Sequence, residues 1–302
     1  MSWEELPDPP PVKEYWLEDR MVTVRRVNDG GAPTVFVHGL GGSSLNWTDF
    51  GHVMRDRLDS WAVDLPGFGW SPPPRDGDFS LQAQVAAVRE LIEEEIQTPV
   101  HLFGNSMGGA ISVLLAGNNP ELVRSLTLIS PALPGGKIKR SNAHLPVIAV
   151  PGIGERLISR YLEMPADQRA KTTIEVCFGD VNRVHPQRLT QAIEEVKRRD
   201  QLNYPADVFT KATRGLIQGM LSRKDGGLFG AAGRVKAPVL LVYGRLDKLV
   251  DPRNASKLAS KFPDARVVVL PDSGHVAQME HPEMVAAAWR DLIGTPHPST
   301  LV

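Results

Sequence analysis

The stretch that decides the fold is VHLFGNSMGG, which spans Val100–Gly109. It joins an apolar run typical of a buried strand to a helical run over Ala110–Ala116, and the junction carries the pattern Gly104-x-Ser106-x-Gly108. At a sharp strand-to-helix turn a serine hydroxyl is pushed clear of the backbone, and side chains at the two flanking glycines would collide with a neighbouring strand or helix. The pattern in this context predicts that Ser106 is a nucleophile.

A serine nucleophile needs a base, because its hydroxyl is almost wholly protonated at neutral pH, and the base needs a group that holds it in place. When the serine sits on such a turn, the acid follows it in the chain and a histidine comes last. His275 stands after Gly274 in a loop that follows an apolar strand, and it is the predicted base. His38 is its competitor, but it precedes a glycine loop, which we expect it to shape through hydrogen bonds.

Two aspartates compete for the role of the acid. Asp247 follows the predicted strand Val239–Tyr243 and is the predicted partner of the base. Asp251 precedes a proline and a helix, so capping that helix is its simpler role. Asp272 is too close to His275 in the chain to clamp the imidazole from below, and we interpret it as a solvated turn residue.

Negative charge that develops on a substrate oxygen needs two aligned N–H donors. The N–H of Met107, directly after the serine, lies at a helix N-terminus, where the helix dipole favours an anion. The second donor is expected in the glycine loop His38–Gly42, with Leu40 as the predicted residue. A phosphate-binding loop is excluded, because the glycine spacing fits neither of the common phosphate-binding patterns.

Strands and helices alternate over residues 12–131 and again over 237–294, which predicts an α/β fold with a mostly parallel sheet and helices on both faces. The alternation stops between 132 and 236, so this stretch is predicted to be a helical cap. We expect the cap to lie above the carboxyl ends of the strands, because the sites of such sheets are found there. Residues 1–11 contain four prolines and are expected to form an extended N-terminal arm.

The composition excludes several classes of protein. The chain has 302 residues, 42% of them hydrophobic, and a net charge of -1, which argues against an electrostatic nucleic-acid binder. The first residues lack the basic start and apolar stretch of a signal peptide, and no run of about 18 apolar residues exists, so we expect a cytoplasmic protein without stable membrane insertion.

The single cysteine, Cys177, is expected to be a small buried or cap residue. No zinc-ligand spacing is visible, so neither a metal nor a cofactor is expected.

These motifs together resemble those of the α/β-hydrolase fold family, over about residues 15 to 130 and 237 to 293. In the family pattern they are the oxyanion loop, a structural turn, the nucleophile elbow, the acid loop and the base loop. The matching segments, in that order, are His38–Gly42, Asp64–Ser71, Gly104–Gly109, Gly244–Asp247 and Gly274–His275. The resemblance implies a catalytic triad and makes the stretch 132–236 the family's cap, which varies most and sets substrate choice.

A serine at the elbow excludes relatives that carry aspartate there, namely the usual epoxide hydrolases and haloalkane dehalogenases. The segment Gly104–Gly109 is also similar to the elbow of hydrolases that cleave carbon–carbon bonds in ring-fission products. Their oxyanion loop usually has a Pro-Gly pair, where this chain has Gly41–Ser43, and a tryptophan often follows their histidine, where this chain has Val276. The resemblance therefore implies a serine carboxylesterase or lipase-like hydrolase.

We expect the substrate to be a small-molecule ester with a small to medium acyl or aromatic group, because the cap is apolar in parts. Its predicted contacts are Gly39, Gly41, Asn105, Leu145, Ile148 and Val276. The alternatives are a C–C hydrolase, a perhydrolase or haloperoxidase-type enzyme, and a non-catalytic ligand-binding protein on the same fold. No nucleic-acid partner is expected, and a homodimer is left open.

Overall fold

A sheet of eight strands forms the centre of the computed structural model, which describes residues 5–135 and 145–294. The first four residues of the predicted arm, residues 136–144 of the predicted cap and the chain end after residue 294 lie outside the described residues. The strands are β1 (Val12–Trp16), β2 (Met21–Arg25), β3 (Ala32–Val37), β4 (Leu58–Asp64), β5 (Val100–Asn105), β6 (Val123–Ile129), β7 (Val239–Gly244) and β8 (Ala265–Leu270).

The strands lie side by side in the order β1-β2-β4-β3-β5-β6-β7-β8. The first two form an antiparallel hairpin, β2 pairs antiparallel with β4, and every pairing from β4 to β8 is parallel. Within the described residues, the predicted mostly parallel sheet is therefore confirmed. In the register, Val37 of β3 faces Gly104 of β5, which faces Leu128 of β6, so the loops that follow these strands emerge at one edge.

Helices cover both faces of the sheet and also fill residues 145–236, the described part of the predicted cap, for which the name cap is kept. They are α1 (Thr48–Val53), α2 (Leu81–Glu90), α3 (Met107–Asn118), α4 (Leu145–Ile148), α5 (Ile153–Leu162), α6 (Ala166–Cys177), α7 (Pro186–Arg199), α8 (Pro205–Leu221), α9 (Gly227–Arg234), α10 (Ala255–Ala259), α11 (Ala277–Glu280) and α12 (Pro282–Gly294). Short 3-10 turns precede α1 and α10, at Ser44–Trp47 and Pro252–Asn254. Among the described residues, no helix has the length and apolar character that crossing a membrane requires.

The two faces of the sheet bury separate apolar clusters. Strands β5 and β7 are buried at every position, as expected for central parallel strands that are covered on both sides. On one face, aromatic rings of β3, β5 and α1 pack together, with Phe36 5.2 Å from Phe103 and 5.6 Å from Phe50 between ring centroids. On the other face α3 packs against β3, β5 and β6, and apolar residues of α2 and α9 belong to the same cluster. The strands that carry the motif loops are therefore packed on both faces.

Two helices differ from the sequence-based expectation. Apolar residues with helical spacing predict a helix over Leu81–Ile96, with Ser80 as its cap. Ser80 does cap the helix, but the helix ends in a π-helical turn over Leu91–Ile96. The turn closes where the N–H of Gln97, in a left-handed conformation, donates to Ile92 O. The sequence also predicts a helix over Arg253–Phe262. In the structure this segment starts as the 3-10 turn Pro252–Asn254, and α10 ends at Ala259.

Candidate active site

Ser106 lies between β5 and α3 with φ 53° and ψ −116°, a conformation that residues other than glycine rarely adopt. Such strain costs about 1–3 kcal/mol and persists only where the surroundings enforce it. Here the Ser106 N–H donates to Ile129 O (3.0 Å), and the Ser106 carbonyl accepts from the N–H groups of Ala110 (3.2 Å) and Ala132 (2.9 Å). The side chain is partly exposed, whereas the strand before it is buried. The backbone thus presents this serine at a sharp turn.

The glycines around the serine leave no room for side chains. A Cβ at Gly104 would lie 2.5 Å from the hydroxyl oxygen of Ser112 in α3. A Cβ at Gly108 would overlap the carbonyl oxygen of Val37 and lie 2.5 Å from that of His38. The elbow therefore requires small residues for the reason that the sequence suggested, which is the close approach of strand and helix.

His275 and Asp247 form a buried pair beside this turn. The distance between His275 Nδ1 and Asp247 Oδ2 is 3.0 Å, and the two residues are 4% and 2% exposed. The other oxygen, Oδ1, accepts from the N–H groups of Leu249 (2.7 Å) and Val250 (2.9 Å). Burial by itself would raise the pKa of Asp247, but the neighbouring His275 and these hydrogen bonds outweigh it and lower that pKa below its usual value. The carboxylate is thus held ionised against the imidazole.

The competing aspartates point elsewhere. Asp251 accepts from the Arg253 N–H (3.1 Å), which caps the 3-10 turn, and pairs with the Arg253 guanidinium (2.7 Å). This is the capping role expected for it. Asp272 is exposed, as expected for a turn residue, and its carbonyl lies 3.1 Å from His281 Nε2.

Asn105 connects the turn to the base loop. Its side-chain amide donates both to Ile129 O on β6 and to His275 O, each at 3.0 Å. The residue before the serine therefore holds the backbone of the histidine in place. The next residue in the base loop, Val276, is buried. The sequence predicts that Asn105 contacts the substrate. The hydrogen bonds that its side chain makes here are to the protein backbone, and its contact with substrate stays a prediction.

The loop His38–Gly42, which is the predicted oxyanion loop, is organised by His38. Its Nδ1 lies 2.7 Å from Gly39 O, and its Nε2 accepts from the Leu65 N–H (3.1 Å), so the proton must be on Nδ1. Burial lowers the pKa of His38 to about 4, which keeps the ring neutral. A Cβ at Gly39 would lie 3.1 Å from Ser106 Cβ, so the loop lies directly against the elbow. The loop-shaping role expected for His38 agrees with these contacts.

The base loop is also held from the side of the cap, by contacts that the sequence did not predict. The His275 N–H donates to Cys177 O (2.7 Å) at the end of α6. Glu280 accepts from the N–H groups of Gly179 (2.8 Å) and Gly274, which belong to the cap and the base loop respectively. Burial, followed by the nearby Asp247 and Glu280 carboxylates, raises the pKa of Cys177 to about 12, so its thiol stays protonated. Cys177 thus occupies the structural position expected of it.

A second cap contact reaches the oxyanion loop. On α7, Arg199 Nη1 donates to Gly41 O (2.8 Å), and the neighbouring Arg198 donates to Gly69 O. Both guanidinium groups also bind the buried carboxylate of Glu195. The sequence spacing of these three residues indicates only helix-surface ion pairs, which are commonly solvated, so their contacts with the core were missed.

The remaining predicted site residues are spread over the cap and the loops. Met107 is buried at the first position of α3, and Gly41 lies under the ring of Phe209 from α8. Ile148 is buried within the cap, where α4 packs on α5 and α8, and Leu145 is partly exposed. Their contact with substrate stays a prediction. In the parts of the chain that are described, no three histidine, cysteine or acidic side chains are grouped so that they could hold a metal ion.

Comparison with known proteins agrees with this geometry. Residues 33–282 match the sequence profile of the alpha/beta hydrolase fold. A dihydrolipoyllysine-residue acetyltransferase component of an acetoin cleaving system, from Cupriavidus necator, is 31% identical over 83% of this chain and 61% of its own length. The chain thus spans about three fifths of that relative. A pimeloyl-acyl-carrier-protein methyl ester esterase from Aeromonas hydrophila is 28% identical over 90% of this chain and 99% of its own. The crystal structure of a bacterial membrane phospholipase A has a TM-score of 0.77 at 21% identity, over 94% of this chain and 86% of that one, which shows a shared fold.

Proposed function

The chain belongs to the alpha/beta hydrolase fold family, and we propose that it is a serine hydrolase that cleaves carboxylic esters through an acyl-enzyme. The observation that carries the proposal is the buried pair of His275 and Asp247, attached through Asn105 to a serine on a strained turn. A nucleophile, an oriented base and an ionised acid are the groups that acyl transfer needs.

The proposed reaction uses the free nitrogen of the histidine. Because Nδ1 of His275 faces Asp247, Nε2 is the atom that takes the Ser106 proton as the hydroxyl oxygen attacks the ester carbonyl carbon. The N–H groups of Leu40 and Met107 stabilise the oxyanion, and the imidazolium is stabilised by the ionised Asp247. His275 then gives its proton to the departing alkoxide, and the carbonyl re-forms as the acyl-enzyme.

Deacylation repeats these steps with water. The neutral imidazole takes a proton from a water molecule, whose oxygen attacks the acyl carbon, and the same N–H donors hold the second oxyanion. The proton returns to the Ser106 oxygen as the bond to the acyl group breaks, which releases the carboxylic acid. The relative from Aeromonas hydrophila is named as a methyl ester esterase, and a methyl ester is a carboxylic ester. We propose small to medium acyl or aromatic esters as substrates here.

The test is the variant Ser106→Ala, compared with Ser260→Ala, whose hydroxyl is exposed and bonds only to Lys257 O among the contacts described. With p-nitrophenyl esters, we expect kcat of Ser106→Ala to fall on the order of a million-fold and Ser260→Ala to keep full activity. A fluorophosphonate probe is expected to label the wild type at Ser106. Near-wild-type activity of Ser106→Ala, or no labelling of folded wild-type protein, would overturn the proposal. A ring-fission substrate in the same assays tests the C–C alternative.

A further inference from the structure

The cap helix α7 is attached to the core through the backbone of the oxyanion loop. Arg199 Nη1 donates to Gly41 O at 2.8 Å, and Arg199 Nε donates to Glu195 Oε1 at 2.9 Å. The Glu195 side chain is 8% exposed and the Arg199 side chain is 25% exposed. The buried carboxylate therefore fixes the guanidinium in one orientation, and this orientation aims one of its N–H groups at a single backbone carbonyl.

That carbonyl belongs to a peptide unit that bonds further into the loop. The carbonyl of Gly41 and the N–H of Gly42 belong to the same peptide unit, and in a trans peptide the two groups point in opposite directions. All peptide bonds in the described residues are trans. The Gly42 N–H donates to Gly39 O at 3.0 Å. The hydrogen bond from Arg199 and the hydrogen bond to Gly39 therefore lie at the two ends of one rigid unit.

The same argument applies one peptide further. The carbonyl of Gly39 shares its peptide unit with the N–H of Leu40, which is the proposed oxyanion donor. Gly39 O is bound by the Gly42 N–H on one side and by His38 Nδ1 on the other, at 2.7 Å. The Leu40 N–H must then point away from both. A line of hydrogen bonds thus runs from the Arg199 guanidinium through two peptide units to Leu40.

We propose that Arg199 is a positioning residue that orients the Leu40 N–H through the Gly41–Gly42 and Gly39–Leu40 peptide units, an inference that rests on the proposed function. Gly41 has φ +75°, and as a glycine it rotates freely, so the peptide after it needs an external support. A charged donor at one end of a hydrogen-bonded chain also polarises the N–H at the other end. The consequence is that the oxyanion donor has its full strength only while α7 is docked.

Arg198 provides a matched control. It is the adjacent residue on α7, binds the same Glu195 carboxylate, and donates to Gly69 O in a different loop. Its guanidinium carbon lies 4.1 Å from the ring centroid of Trp70. Removal of Arg198 therefore deletes an equal charge and a comparable contact between cap and core, but it leaves the bond to Gly41 in place. A purely structural role of α7 would make the two arginines equivalent.

The experiment compares Arg199→Ala, Arg199→Lys and Arg198→Ala in the full chain, with p-nitrophenyl ester hydrolysis and the rate of Ser106 phosphonylation by a fluorophosphonate. For Arg199→Ala we expect kcat and the phosphonylation rate to fall about 10- to 100-fold, because both reactions place an oxygen in the oxyanion hole. The KM of this variant should stay within about twofold of the wild-type value. Arg199→Lys keeps a charged donor and is expected to recover part of the loss, and Arg198→Ala is expected to stay within about threefold of the wild type.

Three results would overturn the proposal: equal losses in Arg199→Ala and Arg198→Ala, a loss confined to KM, or full activity of Arg199→Ala. If Arg199→Ala does not fold, as judged by its circular dichroism, Arg199→Met takes its place, because methionine keeps a long side chain but has no N–H donor. An Arg199→Met variant that is as fast as Arg198→Ala and the wild type would contradict the role proposed for Arg199. A wild type that neither hydrolyses esters nor is labelled at Ser106 is a different failure, because it would overturn the proposed function itself.

Discussion

Replacement of Glu280 by glutamine should weaken the connection between the cap and the base loop. Glu280 ends α11 and is 6% exposed. Its Oε1 accepts from the N–H groups of Gly179 (2.8 Å) and Asp180 (3.2 Å), while Oε2 accepts from the Gly274 N–H and the Ser273 hydroxyl (3.3 Å). A carboxylate can accept at both oxygens, whereas an amide has one oxygen and one NH₂ group. One of these two sides must therefore lose its acceptor.

The magnitude follows from the bonds that an amide cannot make. If the amide oxygen stays with the cap, its NH₂ group faces the Gly274 N–H, which is left as an unpaired buried donor. Loss of a hydrogen bond to a charged group costs about 1.5–3 kcal/mol, and a buried unpaired donor costs about 1–3 kcal/mol, with the two overlapping. A neutral side chain avoids part of the cost of burying a charge. We therefore expect the free energy of unfolding to fall by about 2 kcal/mol, within both of these ranges.

Urea unfolding of the full chain at pH 7 measures this change, with Glu283→Gln as a control. Glu283 is exposed on α12, so its replacement removes the same charge and should change the unfolding free energy by less than about 0.5 kcal/mol. Since Gly274 precedes His275, we also expect kcat for esters to fall by about tenfold in Glu280→Gln. Equal unfolding free energies of the two variants would refute the view that this carboxylate holds the base loop against the cap.

Two further predictions concern the elbow and the pH dependence of stability. A Cβ at Gly108 would overlap a backbone oxygen of β3, so Gly108→Ala should lower the free energy of unfolding by at least about 3 kcal/mol. The control is Gly233→Ala in α9, where the nearest atom to the added Cβ is 3.9 Å away, and this variant should keep the wild-type free energy of unfolding or raise it slightly. Equal thermal midpoints of the two variants would contradict this prediction. Burial, followed by the charge of Arg124, lowers the pKa of His101 from 6.5 to about 4 in the folded protein. Between these two pH values His101 is protonated in the unfolded chain but neutral in the folded protein. The free energy of unfolding therefore decreases as the pH falls through this range. From pH 6.5 to 5, the stability of the wild type relative to His101→Phe should fall by about 1.6 kcal/mol in urea titrations, and a constant difference would show that His101 does not cause this dependence.

The loops of the sheet edge could be predicted because their residue types are required locally. The elbow needs glycine where strand and helix approach closely, and Asp251 caps the turn that starts at the following proline. In both cases the requirement comes from residues nearby in the chain, so it can be recognised from the sequence. A proline at its start and apolar residues with helical spacing predict a helix over Pro186–Arg199, and α7 has these bounds. The partners His275 and Asp247 were predicted from the order of motifs, and the structure places them 3.0 Å apart.

The cap was harder to predict, because polar contacts between distant segments hold much of it. The sequence predicts cap helices over Glu155–Tyr161, Pro186–Arg199 and Asp207–Met220. It does not predict α6, Ala166–Cys177, since few residues of α6 are apolar and its buried positions include Arg169. That arginine pairs with Asp200, just after α7, and such a pairing leaves no periodic pattern in the sequence. Glu280 and Arg199 were missed for the same reason, because the groups that they bind are backbone atoms brought near only by the fold.

The positions of these contacts bear on how the cap would influence the proposed reaction. Arg199 binds the loop of the proposed oxyanion donor at Gly41, and the carbonyl of Cys177 binds the N–H of His275, the proposed base. Both contacts are made to backbone groups of these loops. Changes to α7 or to the end of α6 should therefore alter kcat for every ester alike. Substrate preference should instead depend on cap residues that leave these two attachments intact, and this separation gives a practical rule for redesigning the cap.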